Sequence, residues 1–321
     1  PEGEIQTERL DDDDDYVIRE DGHHKFTIAV DTDGYVHVVG DLHNFRPGSD
    51  GYLPRFADAT VMYWVSDEPE SISSFSFVGD TDRTIPGYAM SYVSFIPDQD
   101  GLLYAKARIY VHETGHYSGE VGFGVFVYDV ETQSWRALGG LAPSFVEPFA
   151  DLLIEPIYPA LFWEDNGHFD GNEGRRSWYQ GFMTGIRFDL DNRMHASVAI
   201  NNDSMTNGTT HVLYAHSDDG GETFFRADES SIETLPIRAE AGPSQGDVVA
   251  SSVEDEFSDG LWSFATPIAD RHGNPLVDFG GRHRYWDEVA ERWSATQYNP
   301  VTGVGRNWHQ LDAWGVITFV G

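Results

Sequence analysis

Short runs in which apolar and polar residues alternate follow one another along most of the chain. They are rich in Val, Ile, Tyr and Phe, as in FTIAV (26–30), YVHVV (35–39), LLYAKARIYV (102–111) and GFGVFVYDV (122–130). A period of two is typical of a strand with one buried face. Helical periodicity is weak, and its best candidate, residues 148–161, is interrupted by Pro156 and Pro159. The pattern therefore predicts an all-β fold.

Recurring polar segments between these runs predict tight hairpin turns. Four of them share Asp, Asn and Gly, which readily adopt the conformations that such turns require: DTDG (31–34), DQDG (98–101), DLDN (189–192) and RHGN (271–274). Calcium ligation by the DxDG segments is the alternative. We favour turns, because the segments lack the later bidentate Glu of an EF-hand loop.

A second class of turn indicates how the strands are grouped. SDDGGETF (217–224) matches the Asp-box pattern Ser-x-Asp-x-Gly-x-Thr-aromatic with one extra residue, and residues 128–135 and 285–293 also place an acidic turn before a tryptophan. Asp boxes of this kind close the outer hairpins of β-propeller blades. Blades of about 45 residues would divide the chain into roughly seven. We therefore predict a single β-propeller domain over residues 1–321, of seven blades, in which residues 1–15 form an acidic tail or loop.

The charge of the chain limits its partners. The 321 residues include 54 acidic and 20 basic ones, a net charge of −34, and the only lysines are Lys25 and Lys106. Such a surface repels nucleic acids and anionic membranes, so we expect neither as a partner. The absence of cysteine excludes disulfides and thiol catalysis. The chain starts at Pro1 without a signal-like segment, and we expect a mature secreted protein whose signal peptide is not part of this sequence.

One segment carries a family resemblance. DGHHKFTIAVDTDGYVHVVGDLHN (21–44), followed by MSYVSFIPDQDGLLYAKARIY (90–110), resembles the BNR-type β-propeller polysaccharide lyases, above all the propeller ulvan lyases. These families have a first histidine before a D-x-D-G turn, a second in a D-x-H-N setting, a tyrosine and an arginine on the next strand. The matching positions are His23, His43, Tyr92 and Arg108. His24 adjoins His23, so the choice between them rests on register.

The resemblance implies cleavage of an acidic, sulfated polysaccharide of the ulvan type by β-elimination next to a uronate. Arg108, alone or together with His43, would neutralise the uronate carboxylate, since a bidentate cation stabilises the enolate that forms when the C5 proton leaves. His23 and Tyr92 would exchange protons with C5 and with the departing O4, and the sequence does not divide these roles. A positive charge near Tyr92 favours its phenolate form. Asn44 and Arg46 are candidate contacts for uronate or sulfate oxygens.

Other expectations concern cofactors, assembly and rival functions. No organic cofactor is required, a structural calcium or zinc ion remains open without assigned ligands, and we expect a monomer. A sialidase-like glycoside hydrolase and a non-catalytic glycan-binding propeller are the alternatives. HETGH (112–116) resembles a zinc-protease motif but follows a strand-like run, which favours a loop. Arg175 and Arg176 form another basic spot, and we interpret His211 and His216 as strand residues rather than cation ligands.

Overall fold

The computed structural model describes thirteen parts of the chain, and all regular structure within them is β-strand. Among these residues no helix is long and apolar enough to span a membrane. The all-β prediction is confirmed. The described residues are 26–40, 61–87, 90–110, 121–141, 159–162, 178–179, 185–201, 209–239, 241–251, 265–279, 282–298, 308–311 and 317–320.

Four larger antiparallel sheets contain most of the strands. The first has β1 (Phe26–Val30), β2 (Val36–Gly40), β3 (Met62–Ser66) and β4 (Phe75–Phe77). The second has β5 (Met90–Pro97), β6 (Leu103–Tyr110), β7 (Val121–Asp129) and β8 (Ser134–Leu138). A two-stranded pair, β9 (Gly140–Leu141) and β10 (Pro159–Ala160), follows the second sheet.

The other two large sheets lie in the second half of the chain. The third has β11 (Trp178–Tyr179), β12 (Gly185–Phe188), β13 (Met194–Asn201), β14 (Thr209–Ser217), β15 (Phe224–Phe225), β16 (Ser231–Ile232) and β17 (Asp247–Ser251). The fourth has β18 (Ala265–Ala269), β19 (Pro275–Phe279), β20 (Arg282–Asp287), β21 (Arg292–Trp293) and β22 (Gln297–Tyr298). The hairpin of β23 (Trp308–Leu311) and β24 (Ile317–Val320) completes the described strands.

The first two sheets are meanders in which each strand pairs with the next, which is the form of a propeller blade. The third and fourth repeat this order with short additional strands. A large hydrophobic cluster joins the first three sheets, and a second cluster connects the third with the fourth. Seven blades remains a prediction.

The first hairpin of each large sheet closes with the same turn, which we call the aspartate turn. Its aspartate is Asp31, Asp98, Asp189 or Asp270 in the four sheets. In every case Oδ1 accepts hydrogen bonds from the backbone amides two and four residues later, and the carbonyl accepts one from the amide three residues later. That third residue has a positive φ, which glycine and asparagine adopt most readily. The four segments predicted as turns are therefore turns.

The aspartate turns of successive sheets lie side by side. Nδ2 of Asn192 in the third turn donates to Asp98 Oδ2 in the second, at 3.2 Å. A Cβ atom added at Gly101 would lie 3.4 Å from Thr32, and one at Gly273 would lie 3.3 Å from Asp189 Oδ2. The contacts place the four turns at one common end of the sheets, which we call the turn end.

A buried histidine extends two of these turns into the core. His37 Nε2 lies 3.0 Å from Asp31 Oδ2, and His37 Nδ1 lies 2.6 Å from the Tyr63 hydroxyl. His195 makes the same pair of contacts in the third sheet, with Asp189 at 3.2 Å and Tyr214 at 2.6 Å. A neutral imidazole with its proton on Nε2 satisfies both partners, since it donates to the carboxylate and accepts from the phenol. Burial lowers the pKa of His37, which favours this neutral form.

We expect Asp31→Ala to destabilise the protein more than Asp270→Ala does. Both changes remove a carboxylate that caps two backbone amides. Only the first also leaves a fully buried histidine, His37, without its acceptor. An unsatisfied buried donor costs about 1–3 kcal/mol, which is the expected difference between the variants in urea unfolding. Equal losses of stability would show that the contact between Asp31 and His37 contributes nothing.

Candidate functional site

The pairing of β5 with β6 contains one irregularity, and it lies at Tyr92. Ser91 pairs with Arg108, but the next pair is Ser94 with Lys106, so β5 has one residue more than β6 in this interval. Such an extra residue is a β-bulge, which bends the strand and redirects its side chains. Tyr92 has a φ of 57°, in the left-handed region that a bulky residue rarely adopts. The bulge is therefore a strained part of an otherwise regular hairpin.

Arg108 faces this bulge from the neighbouring strand. Its Nε donates a hydrogen bond of 3.0 Å to Ser91 Oγ, and its Cζ lies 4.9 Å from the centroid of the Tyr92 ring. The guanidinium is therefore held at one edge by a hydroxyl and lies over an aromatic ring, which attracts its charge. Arg108 is 5% exposed and Tyr92 4% exposed. Screening by water is weak in such a place, so a carboxylate there would interact strongly with the guanidinium.

The bulge lies at the end of the second sheet opposite its aspartate turn. Tyr92 and Asp98 are separated by 98 − 92 = 6 residues of one strand. At about 3.3 Å per residue this is about 20 Å. Left-handed backbone at a bulky residue costs about 1–3 kcal/mol and is concentrated at active sites and ligand clamps. The second sheet thus has its aspartate turn at one end and, at the opposite end, the strained Tyr92 in contact with Arg108.

The structure describes two of the six residues predicted for the site. Tyr92 and Arg108 lie in contact, and their roles stay a prediction. His23, His43, Asn44 and Arg46 lie outside the described residues. Ser91 belongs to the same cluster and was missed, because a serine beside a tyrosine in a strand gives no signal of its own.

Of three other sequence predictions, the structure describes the residues of one. HETGH (112–116) and the pair Arg175 and Arg176 lie outside the described residues. His211 and His216 are strand residues, as expected, since both lie in β14.

His216 also lines a cavity of 390 Å³ between the third and fourth sheets. Arg193 forms the centre of the polar network here. Its Nε and Nη2 lie 2.6 and 3.0 Å from the Asp218 carboxylate, and its Nη1 lies 3.0 Å from Glu229. His216 Nε2 lies 3.3 Å from the other oxygen of Glu229. Burial, reinforced by the charge of Arg193, lowers the pKa of His216 to about 4.

This network is the one group among the described residues whose side chains could hold a metal ion. His216, Asp218 and Glu229 each offer a ligand atom, and these atoms lie within 4.8 Å of one another. Arg193 already pairs with both carboxylates, so a cation would have to compete with its guanidinium. The donor set therefore fits a salt-bridge network better than an ion site, and the expectation about calcium or zinc stays open.

Comparison with solved structures identifies the fold. An ulvan lyase of polysaccharide lyase family PL25, bound to -[GlcA(1-4)Rha3S]-, matches 87% of this chain with a TM-score of 0.53 and 14% identity. The polysaccharide lyase Uly1 matches 93% of this chain with the same TM-score and identity. This chain spans 58% of the first structure and 68% of the second. This chain therefore shares its fold with these two structures.

The family follows from the sequence. Residues 3–313 match the BNR repeat-containing family. The chain belongs to this family, and the resemblance to the BNR-type propeller lyases is confirmed. No curated protein matches the chain.

The strain at Tyr92 predicts an unusual order of stability. We expect Tyr92→Gly to be at least as stable as Tyr92→Ala, because both lose the ring but only glycine adopts a φ of 57° without strain. Relief of the strain is worth about 1 kcal/mol. The measurement is the free energy of unfolding of both variants in urea.

Val93, the next residue of the bulge, provides the control, because it is not among the residues with positive φ. There we expect the usual order, with Val93→Gly less stable than Val93→Ala by about 0.5–1 kcal/mol. The same order at both positions would contradict the assignment of strain to Tyr92.

The lowered pKa of His216 predicts a pH dependence of stability. A histidine with a folded pKa of about 4 and an unfolded pKa of 6.5 favours unfolding as the pH falls, because the unfolded chain takes up the proton first. We expect His216→Gln to gain stability relative to the parent protein between pH 7 and pH 4, by up to about 3 kcal/mol. A difference between the two proteins that stays constant over this pH range would contradict the neutral, buried state of His216.

Proposed function

We propose that the protein is a polysaccharide lyase that cleaves a sulfated, uronate-containing polysaccharide of the ulvan type by β-elimination. The contact between Arg108 and Tyr92 is the observation that carries this proposal. It joins a group that binds a carboxylate to a group that transfers a proton, in a buried and strained segment. The fold shared with polysaccharide lyases supports the proposal.

The reaction assigns a role to each of the two side chains. The proton at C5 of a uronate is too weakly acidic to be removed while the adjacent carboxylate keeps its full charge. A guanidinium bound to both carboxylate oxygens stabilises the enolate, because negative charge moves onto those oxygens as the proton leaves. Arg108 would bind the carboxylate, and Tyr92, beneath the same guanidinium, would lie close to C5 or O4.

The elimination balances without an oxidant, a reductant or an added water molecule. The C5–H bond breaks and its proton passes to a base. The electron pair forms the double bond between C4 and C5, the C4–O4 bond breaks, and O4 takes a proton from an acid. The products are a 4,5-unsaturated uronyl end and a free hydroxyl. Tyr92, His23 and His43 are the proposed proton carriers.

The topology of the first sheet supports the inclusion of the two histidines. His23 precedes β1 by 26 − 23 = 3 residues, and His43 follows β2 by 43 − 40 = 3 residues. Phe26 pairs with Gly40, so the chain enters and leaves this hairpin at the same end, opposite its aspartate turn. Strand β1 contacts β5, and the aspartate turns of the first and second sheets are adjacent. The end of the first sheet opposite its turn therefore lies on the same side as Tyr92 and Arg108 of the second sheet.

The remaining parts of the proposal follow from the same reaction class. Asn44 and Arg46 would contact uronate or sulfate oxygens of the bound chain. The chemistry requires no organic cofactor. A long polysaccharide chain is degraded outside the cell, so we propose that the enzyme is secreted. We also propose that it acts as a monomer.

The proposal predicts a rise in ultraviolet absorbance from the conjugated double bond when the protein is incubated with ulvan. Heparan, chondroitin and alginate would be tested in parallel to define the uronate that is cleaved. We expect Tyr92→Phe to lower kcat by about 100-fold to 10,000-fold, since proton transfer is lost. We expect Arg108→Ala to lower kcat by about 100-fold to 1,000-fold, since the enolate loses its cation.

Two variants in the same sheet control for the loss of a hydroxyl or of a positive charge. Tyr104→Phe removes a buried phenol near the turn end, where the hydroxyl lies 3.4 Å from the Gly220 carbonyl. Arg136→Ala removes an exposed arginine paired with Glu222. Both should keep their kcat. Release of saturated reducing sugars would indicate a hydrolase instead, and binding without turnover would indicate a glycan-binding propeller.

A further inference from the structure

Ser91 is the buried residue that fixes the edge of the Arg108 guanidinium. It lies in β5 directly before Tyr92, is fully buried, and pairs in register with Arg108 on β6. Its Oγ accepts the hydrogen bond from Arg108 Nε at 3.0 Å. No sequence motif assigned it a role.

The bulge explains how Ser91 and Tyr92 reach the same arginine. Successive residues of a regular strand point to opposite faces of the sheet. At a bulge two residues oppose one, and the side chains are redirected. Here the backbone of Tyr92 has a positive φ, and the Ser91 hydroxyl and the Tyr92 ring both contact Arg108. The strained bulge therefore lets two neighbouring residues hold one guanidinium, Ser91 at its edge and Tyr92 at its face.

The orientation of the guanidinium determines how a carboxylate can bind. Arginine offers two edges for a bidentate contact, one formed by Nε with an Nη and one formed by the two Nη atoms. Ser91 holds the Nε edge, and the Tyr92 ring lies against the face of the same guanidinium. We propose that Ser91 is a positioning residue that fixes the orientation in which the Arg108 guanidinium meets the uronate carboxylate.

This inference rests on the proposed function, and it adds the way in which the two reacting groups are aligned. The Tyr92 ring lies under the guanidinium that Ser91 orients, so the carboxylate, C5 and the phenol acquire a fixed mutual geometry. Rotation of the guanidinium would move the bound uronate relative to Tyr92. A displacement of about 1 Å between reacting groups costs about 100-fold in rate.

We expect Ser91→Ala to lower kcat by about 10-fold to 100-fold with a smaller change in KM. Ser91→Thr keeps the hydroxyl and should retain most of the parent kcat. Ser66→Ala is the matched control, because Ser66 is a buried strand serine of the first sheet whose Oγ also accepts a hydrogen bond, from the Val36 amide at 2.9 Å. It should shift the unfolding midpoint about as much as Ser91→Ala does and leave kcat unchanged.

A double-mutant cycle separates positioning from a purely structural role. Lysine has no Nε–H edge, so in the Arg108→Lys protein Ser91 has no guanidinium to orient. We expect Ser91→Ala to lower kcat/KM in the parent protein and to have no further effect in the Arg108→Lys background. Equal losses in both backgrounds would overturn the inference, as would an unchanged kcat in Ser91→Ala.

Assays of the unmodified protein separate a failure of the Ser91 role from a failure of the lyase assignment. If the unmodified protein cleaves a uronate polymer by β-elimination and the Ser91→Ala protein does so equally well, the positioning role is wrong and the lyase assignment stands. If the unmodified protein cleaves none of the four polymers, the lyase assignment and the role of Ser91 in it are both overturned.

Discussion

The hydrogen bonds between one aspartate side chain and the backbone of its own turn are the constraint on which the sheets depend. An antiparallel hairpin needs its register fixed at the turn, because a slip of one residue would move every buried side chain to the other face. In each large sheet a single carboxylate oxygen holds two amides and fixes that register. In the first and third sheets the second oxygen also binds a buried histidine, so the turn and the core are stabilised together.

Fixing one end of the sheets allows strain at the other. The second sheet is anchored at Asp98, and its β5–β6 pairing is regular from Pro97 back to Ser94 before the bulge begins. The bulge destabilises the hairpin, and the regular pairing of the remaining residues must offset this cost. A functional site needs fixed side-chain positions more than low energy, and the proposed site at Tyr92 and Arg108 lies in a strained segment beside a regular one.

Local features of the fold were predictable from the sequence, and long-range ones were not. Strands and aspartate turns follow from residue alternation and from Asp, Asn and Gly at fixed places, which are properties of neighbouring residues. The positive φ of Tyr92 depends on the register between two strands, which no local pattern records. The repeated spacing of Asp31 to His37 and Asp189 to His195 was visible in the sequence, but its meaning required the buried tyrosine on the next strand. The Arg193 network forms between side chains far apart in the sequence and had no signature.

The positions of the described acidic side chains bear on how a chain of net charge −34 could bind the proposed polyanionic substrate. The turn end carries exposed acidic side chains, among them Asp33, Asp100 and Asp191, and it repels a polyanion. Arg108 lies about 20 Å away along the strands, which is more than twice the Debye length of about 8 Å at physiological ionic strength. Screening therefore weakens the repulsion that these turn-end carboxylates exert near Arg108, whereas a carboxylate in direct contact with the buried guanidinium would be screened far less. The acidic aspartate turns are thus compatible with the proposed site at Arg108, because the two lie at opposite ends of the sheets.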